Sequence, residues 1–219
     1  MATGTLSMFG GIKKRRAFFS FHYDDIMRVN NVRNAWKITH PDSPTMRSFY
    51  DSSLWESRKL EGPEAVKRLI REGVENTSAV CVLIGTSTWD RRWVRYEIAR
   101  AIIDGRGLLG VHINGLNHHQ LRVPHMLGAN PLAFMGIGKV QQPGILSIAQ
   151  YYLFENKAGS WVRYSDYVLA VKRPAWVADP ANGHVTPLSN ATTTYDYCKQ
   201  SGHQNIGTWI DAAAKAAGR

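Results

Sequence analysis

Apolar residues in the first half of the chain fall into two alternating patterns. Residues 79–85 (AVCVLIG) and 107–113 (GLLGVHI) are short apolar runs without polar alternation. Such runs bury both sides of the backbone, as strands inside a parallel sheet do. Residues 17–21 (AFFSF) make a third run of strand length. Between the runs the period becomes helical. Ile26, Val29, Val32 and Trp36 recur near helical spacing, and Val66, Leu69, Ile70 and Val74 share one face of a segment that Pro63 opens. Val94, Ile98, Ala101 and Ile102 form a stripe in residues 90–102, with Thr88 or Asp90 as the candidate N-cap and Asp104-Gly105 as its stop. A polar loop with two prolines (39–45) precedes a candidate second strand at 48–51 (SFYD). Strand, helix and strand joined by short links make a βαβ unit. Repeated, the unit gives an α/β fold: an open parallel sheet with helices on both faces, its first, third and fourth strands centred on Phe19, Val82 and Val111.

Beyond Asn114 the pattern weakens. Residues 114–138, rich in Gly, Pro and His, read as long connecting loops. Residues 150–167 (QYYLFENKAGSWVRYSDY) read as two short strands around a Gly turn, and the last dozen residues as a helix. The expected organisation is a mobile segment at 1–15, an α/β core at 16–114 and an irregular C-terminal extension at 115–219 packed on it. That extension lacks a second set of long buried runs. Expressed alone it is expected to show no cooperative unfolding.

Composition narrows the classes. No run approaches the ~18 apolar residues of a spanning helix, and the start carries no apolar secretory core. Two cysteines without metal-ligand spacing fit a reducing compartment, so a cytoplasmic location and no membrane partner are expected. The net charge of +10 favours anionic partners. That charge is spread along the chain apart from KKRR at 13–16, and no zinc finger or RNA-binding aromatic signature accompanies it, so nucleic acid is the weaker partner class.

In open α/β sheets ligands bind outside the carboxyl ends of the strands. Residues 20–25 follow the first strand, 50–62 the second, and 85–97 the third. Trp93 and Glu97, four apart, are neighbours on one side of a helix, and Glu97 borders the core stripe. A solvated surface charge is the alternative reading of Glu97. Arg91, Arg92 and Arg95 offer an anion site or a solvated face.

Taken together and in order, FFSFHY (18–23), LWE (54–56), CVLIG (81–85) and RRWVRYEI (91–98) resemble the Toll/interleukin-1 receptor (TIR) domain family, and more narrowly the TIR-like subunits of bacterial Thoeris anti-phage systems. The similarity is firm over residues 16–114. It implies a flavodoxin-like fold and an enzyme that cleaves NAD between nicotinamide and ribose, with Glu97 of the Trp-x-x-x-Glu pattern as the essential carboxylate. It also implies that a cyclic ADP-ribose type signal passes to a separate effector, with self-association or a phage-derived trigger as the open routes to activation. NAD is then the substrate, and no cofactor or metal is expected. By the same resemblance Ser20, Phe21, His22, Tyr23, Asp51, Trp55 and Trp93 are candidate substrate-binding residues. Many TIR enzymes carry a tyrosine and arginines after the first strand, where this chain has Phe21, His22 and Tyr23. Core packing for Phe21 and Trp55, a surface imidazole for His22 and a turn or N-cap role for Asp51 are the plainer readings. A non-catalytic TIR interaction module is the alternative function. With Glu97 at the rim of the core and partly exposed, replacing it by Gln is expected to change stability by no more than ~1 kcal/mol.

Overall fold

The computed structural model describes residues 15–39, 59–141 and 149–219. The expected strand at 48–51, Asp51, Trp55 and most of the 1–15 segment lie outside them. The first half reads β1 (Ala17–Ser20), α1 (Ile26–Thr39), α2 (Pro63–Glu75), β2 (Ala79–Ile84), α3 (Arg92–Ile103) and β3 (Gly107–His112). The second half adds β4 (Met135–Gln141), β5 (Ala149–Lys157), β6 (Ser160–Arg163), β7 (Val185–Pro187), β8 (Thr194–Asp196) and α4 (Gly202–Ala216).

One sheet has the order β1-β2-β3-β8, parallel throughout, with Phe19 opposite Cys81, Cys81 opposite Leu109 and Val111 opposite Tyr195. Every residue of β2 is buried. Val80, Val82 and Ile84 point to one core with Val66, Leu69, Ile70 and Val74 of α2 and the α3 stripe. Ala79, Cys81 and Leu83 point to the other, with Val29, Val32 and Trp36 of α1 and Ile206, Ile210 and Ala214 of α4. Each buried aliphatic side chain contributes about 1.5–3 kcal/mol. The four on α2 therefore stabilise a helix of 13 residues, a length that is marginal in isolation.

A second sheet, order β6-β5-β4-β7, is antiparallel. The hairpin β5–β6 turns at Ala158 and Gly159, both at positive φ. The structure corrects three local readings. Met135–Gln141, the first four residues of which read in the sequence as the end of a connecting loop, is a strand. Its glycines hide the alternation: Met135 and Ile137 are fully buried, while a Cβ on Gly138 would meet Phe154 and one on Gly136 would meet Val185. Neither Thr88 nor Asp90 caps α3. The cap position is Arg91, without a side-chain bond, and the Thr88 hydroxyl instead accepts the Gly85 N–H at 2.9 Å. The final helix spans Gly202–Ala216, longer than a dozen residues, because it opens with the polar stretch GHQN.

α4 lies so close to β3 that a Cβ on Gly107 would sit 2.4 Å from the Ala213 carbonyl oxygen. Backbone cannot yield as a side chain does. Gly107→Ala should therefore lower stability by about 1–3 kcal/mol, read as a lower midpoint in a circular-dichroism melt. An unchanged midpoint would show that the two layers have room to separate.

Candidate active site

The carboxyl ends of β1 and β2 open onto one cavity. β1 ends at Ser20, and the chain passes through Phe21 and His22 into a 3-10 turn, Tyr23–Asp25. β2 ends at Ile84, and the turn closed by Thr88 delivers the chain to the N-terminus of α3. Phe21, His22, Tyr23, Lys59, Asp90, Arg91, Arg92, Trp93, Val94 and Glu97 line the resulting cavity of about 340 Å³, a volume typical of small-molecule sites. Four of the lining residues carry aromatic or imidazole rings, and three, Lys59, Arg91 and Arg92, are cations.

Glu97 is 4% exposed, far more buried than the rim position suggested by its sequence pattern. Val94, Ile98, Ala101 and Ile102 are all buried around it, so the helix face that anchors α3 carries the carboxylate inward. Among the described residues its one side-chain hydrogen bond comes from Ser20, whose hydroxyl donates to Glu97 Oε2 at 2.5 Å. No cation of the described residues pairs with it. Burial pushes its pKa up to about 8, and the Ser20 hydrogen bond opposes the shift. Ser20 itself is 0% exposed and does not line the cavity, so it reaches the site only through Glu97. Phe21, His22, Tyr23 and Trp93 share the cavity with Glu97. His22 is held below the usual imidazole range, first by burial; Asp24 opposes this, and Arg91 adds to it. Trp93 packs edge-on against Tyr96, with ring centroids 6.4 Å apart.

Residues 18–118 match the family model described as Thoeris protein ThsB, TIR-like domain. Over 200 residues the chain is 37% identical to a protein of Bacillus cereus (strain MSX-D12) named "Putative cyclic ADP-D-ribose synthase ThsB1", an alignment covering 90% of this chain and 99% of that protein. The chain belongs to the ThsB family of Thoeris TIR-like proteins.

The arginines of this ThsB-family site divide by their partners. Arg92 grips Asp166 with both arms of its guanidinium, Nε to Oδ2 at 2.9 Å and Nη2 to Oδ1 at 2.7 Å. Arg95 turns to Asp90 at 3.4 Å and to Glu155 at 3.8 Å. Arg91 donates its Nε to the Ser87 carbonyl at 3.2 Å and lines the cavity. Of the three, Arg91 is the one with no carboxylate of the described residues in ion-pair contact, and so the best placed for an anionic ligand. Lys59, which lines the same cavity, carried no signal in the sequence. Asp166 carried none either: it lies 74 residues from Arg92 in a stretch with no motif. Among the described residues no cluster of His, Cys, Asp and Glu suits a metal ion, and no helix is long and apolar enough to cross a membrane.

Proposed function

We propose that this protein cleaves NAD at the nicotinamide–ribose bond and closes the remaining ADP-ribose into a cyclic signal for a separate effector protein. The observation that carries the reading is the Glu97 carboxylate, buried at an aromatic-walled cavity with a hydroxyl donor and, among the described residues, no cation paired with it. A buried carboxylate without a counter-ion costs stability, a cost that a purely interacting module has no reason to bear. The nicotinamide of NAD brings the missing positive charge.

In the reaction the C1′–N bond breaks and its electron pair leaves with nicotinamide, which departs neutral. Positive charge moves to the ribose, as in glycoside cleavage. Ionised Glu97 stabilises that charge from a fixed position, where the low local dielectric strengthens the effect. Trp93, Phe21 and Tyr23 offer faces to flat rings, and Arg91 with Lys59 supplies positive potential for the pyrophosphate. A nucleophile of the adenosine half then bonds to C1′ before water does. No metal enters this scheme.

The test is incubation of NAD with protein purified from phage-infected cells, with nicotinamide, linear ADP-ribose and cyclic product resolved by chromatography and mass. Nicotinamide released together with a cyclic product supports the reading. Linear product alone would remove the cyclase step, and intact NAD would remove the enzyme.

A further inference from the structure

The first turn of α3, where Arg92 and Trp93 line the cavity, is held from outside the segment matched by the family model. Asp166 follows β6 in the C-terminal half, and its side chain is 8% exposed. It accepts the two-armed contact from Arg92 and a third contact from Lys67 of α2 at 3.1 Å. These donors hold the Asp166 carboxyl down at about 2, so it is charged at any working pH. The Arg92 guanidinium carbon in turn lies 4.8 Å from the centre of the Trp93 ring. A planar guanidinium fixed by a carboxylate fork is a rigid platform for an indole, which an ammonium is not.

We infer that Asp166 is a positioning residue of the NAD site: it fixes the plane of Arg92, and Arg92 fixes the Trp93 ring that walls the cavity beside Glu97. The inference rests on the proposed NAD chemistry for its kinetic consequence, but not for its structural one. Asp166 does not line the cavity, so it acts through its partners: directly on Trp93 through Arg92, and more remotely through Lys67, whose ammonium lies 5.7 Å from the centre of the Tyr96 ring on which Trp93 packs. Lys67 is the comparison, since it bonds the same carboxylate without lining the cavity and reaches Trp93 only by way of Tyr96. A simple stability role would make the Lys67 and Arg92 contacts equivalent.

The experiment compares Asp166→Asn, Arg92→Lys and Lys67→Ala with wild type in the full chain. Protein labelled with 5-fluorotryptophan reports the Trp93 ring by ¹⁹F NMR, its resonance assigned by disappearance in Trp93→Phe. Asp166→Asn and Arg92→Lys should shift or broaden that resonance, and Lys67→Ala should move it distinctly less. On NAD, the first two should raise KM about tenfold, within the range for a displaced positioning group. They should leave the acidic limb of the pH profile of kcat unmoved, because Glu97 and Ser20 are untouched. Arg92→Lys keeps the charge and loses the fork, so it decides the matter should Asp166→Asn fail to fold. An unmoved Trp93 resonance in either variant, or an equal effect of Lys67→Ala, overturns the inference. Should wild type release no nicotinamide, the function falls and the fluorine signal still judges Asp166.

Discussion

Glu97→Gln should stop nicotinamide release and, above pH 8, raise the melting temperature. Gln keeps the length of the side chain and can still accept the Ser20 hydroxyl, but it cannot carry the negative charge that meets the ribosyl cation. Loss of one preorganised electrostatic group lowers turnover about 100-fold or more. The stability effect reverses the usual expectation for a catalytic mutant. Burial lifts the Glu97 pKa from 4.5 to about 8, so between those values the folded state holds a proton that the unfolded chain releases. Stability from this group is fully present below pH 4.5 and is lost as pH rises through 8, a penalty on the order of a few kcal/mol by linkage. The variant and wild type should therefore melt together near pH 4.5 and diverge as the pH rises, the variant staying higher. This replaces the near-neutral effect expected for a partly exposed carboxylate. Turnover retained by the variant would remove Glu97 from the chemistry, and a variant melting lower at pH 9 would contradict the buried, unpaired carboxylate.

Ser20→Ala should produce an enzyme impaired at neutral pH and restored in base. The hydroxyl stabilises the ionised form of Glu97, and a hydrogen bond to a charged group contributes about 1.5–3 kcal/mol, equivalent to roughly one to two pH units. Without it the carboxyl binds its proton more tightly. The acidic limb of kcat/KM, which reports the empty site, should move upward from about 8. On the proposed NAD chemistry the corresponding limb of kcat should lie lower in both proteins, because the cationic ring of bound NAD would stand beside the carboxylate. At pH 7 the variant should lose about tenfold in kcat/KM, most of it recovered above the shifted limb. Ser20→Thr, which keeps the hydroxyl, should retain the wild-type profile. Parallel profiles for Ser20→Ala and wild type would mean that Ser20 merely packs.

What could be read from the sequence followed from local periodicity. The two-sided runs of β2 and β3, the apolar faces of α1 and α2, and the stripe of α3 all stand where their spacing put them. Phe21, His22, Tyr23, Trp93 and Glu97 meet in one cavity because the carboxyl ends of two neighbouring strands open on the same edge. What escaped was non-local. Ser20 and Glu97 are 77 residues apart and nothing in either neighbourhood names the other. Arg92 looked like one of three equivalent cations until Asp166 singled it out. β8 is three residues long and only half-buried, so it offers no apolar run to recognise. In β4 the contrast of large and small residues on opposite faces took the form of alternating glycine, which reads as loop.

That inconspicuous strand bears on how the protein is made. β3 pairs on one side with β2, which leaves the ribosome before it, and on the other with β8, about 80 residues later in synthesis, a separation that slows sheet completion. A nascent or prematurely ended chain that stops short of Thr194 therefore presents one edge of β3 unpaired, and the face that α4 covers stands bare. Exposed apolar strand edges recruit other chains and proteases. Chains ended before the sheet is complete are therefore expected to be cleared faster than complete ones, and pulse-labelled truncations ending before and after residue 194 should differ sharply in half-life.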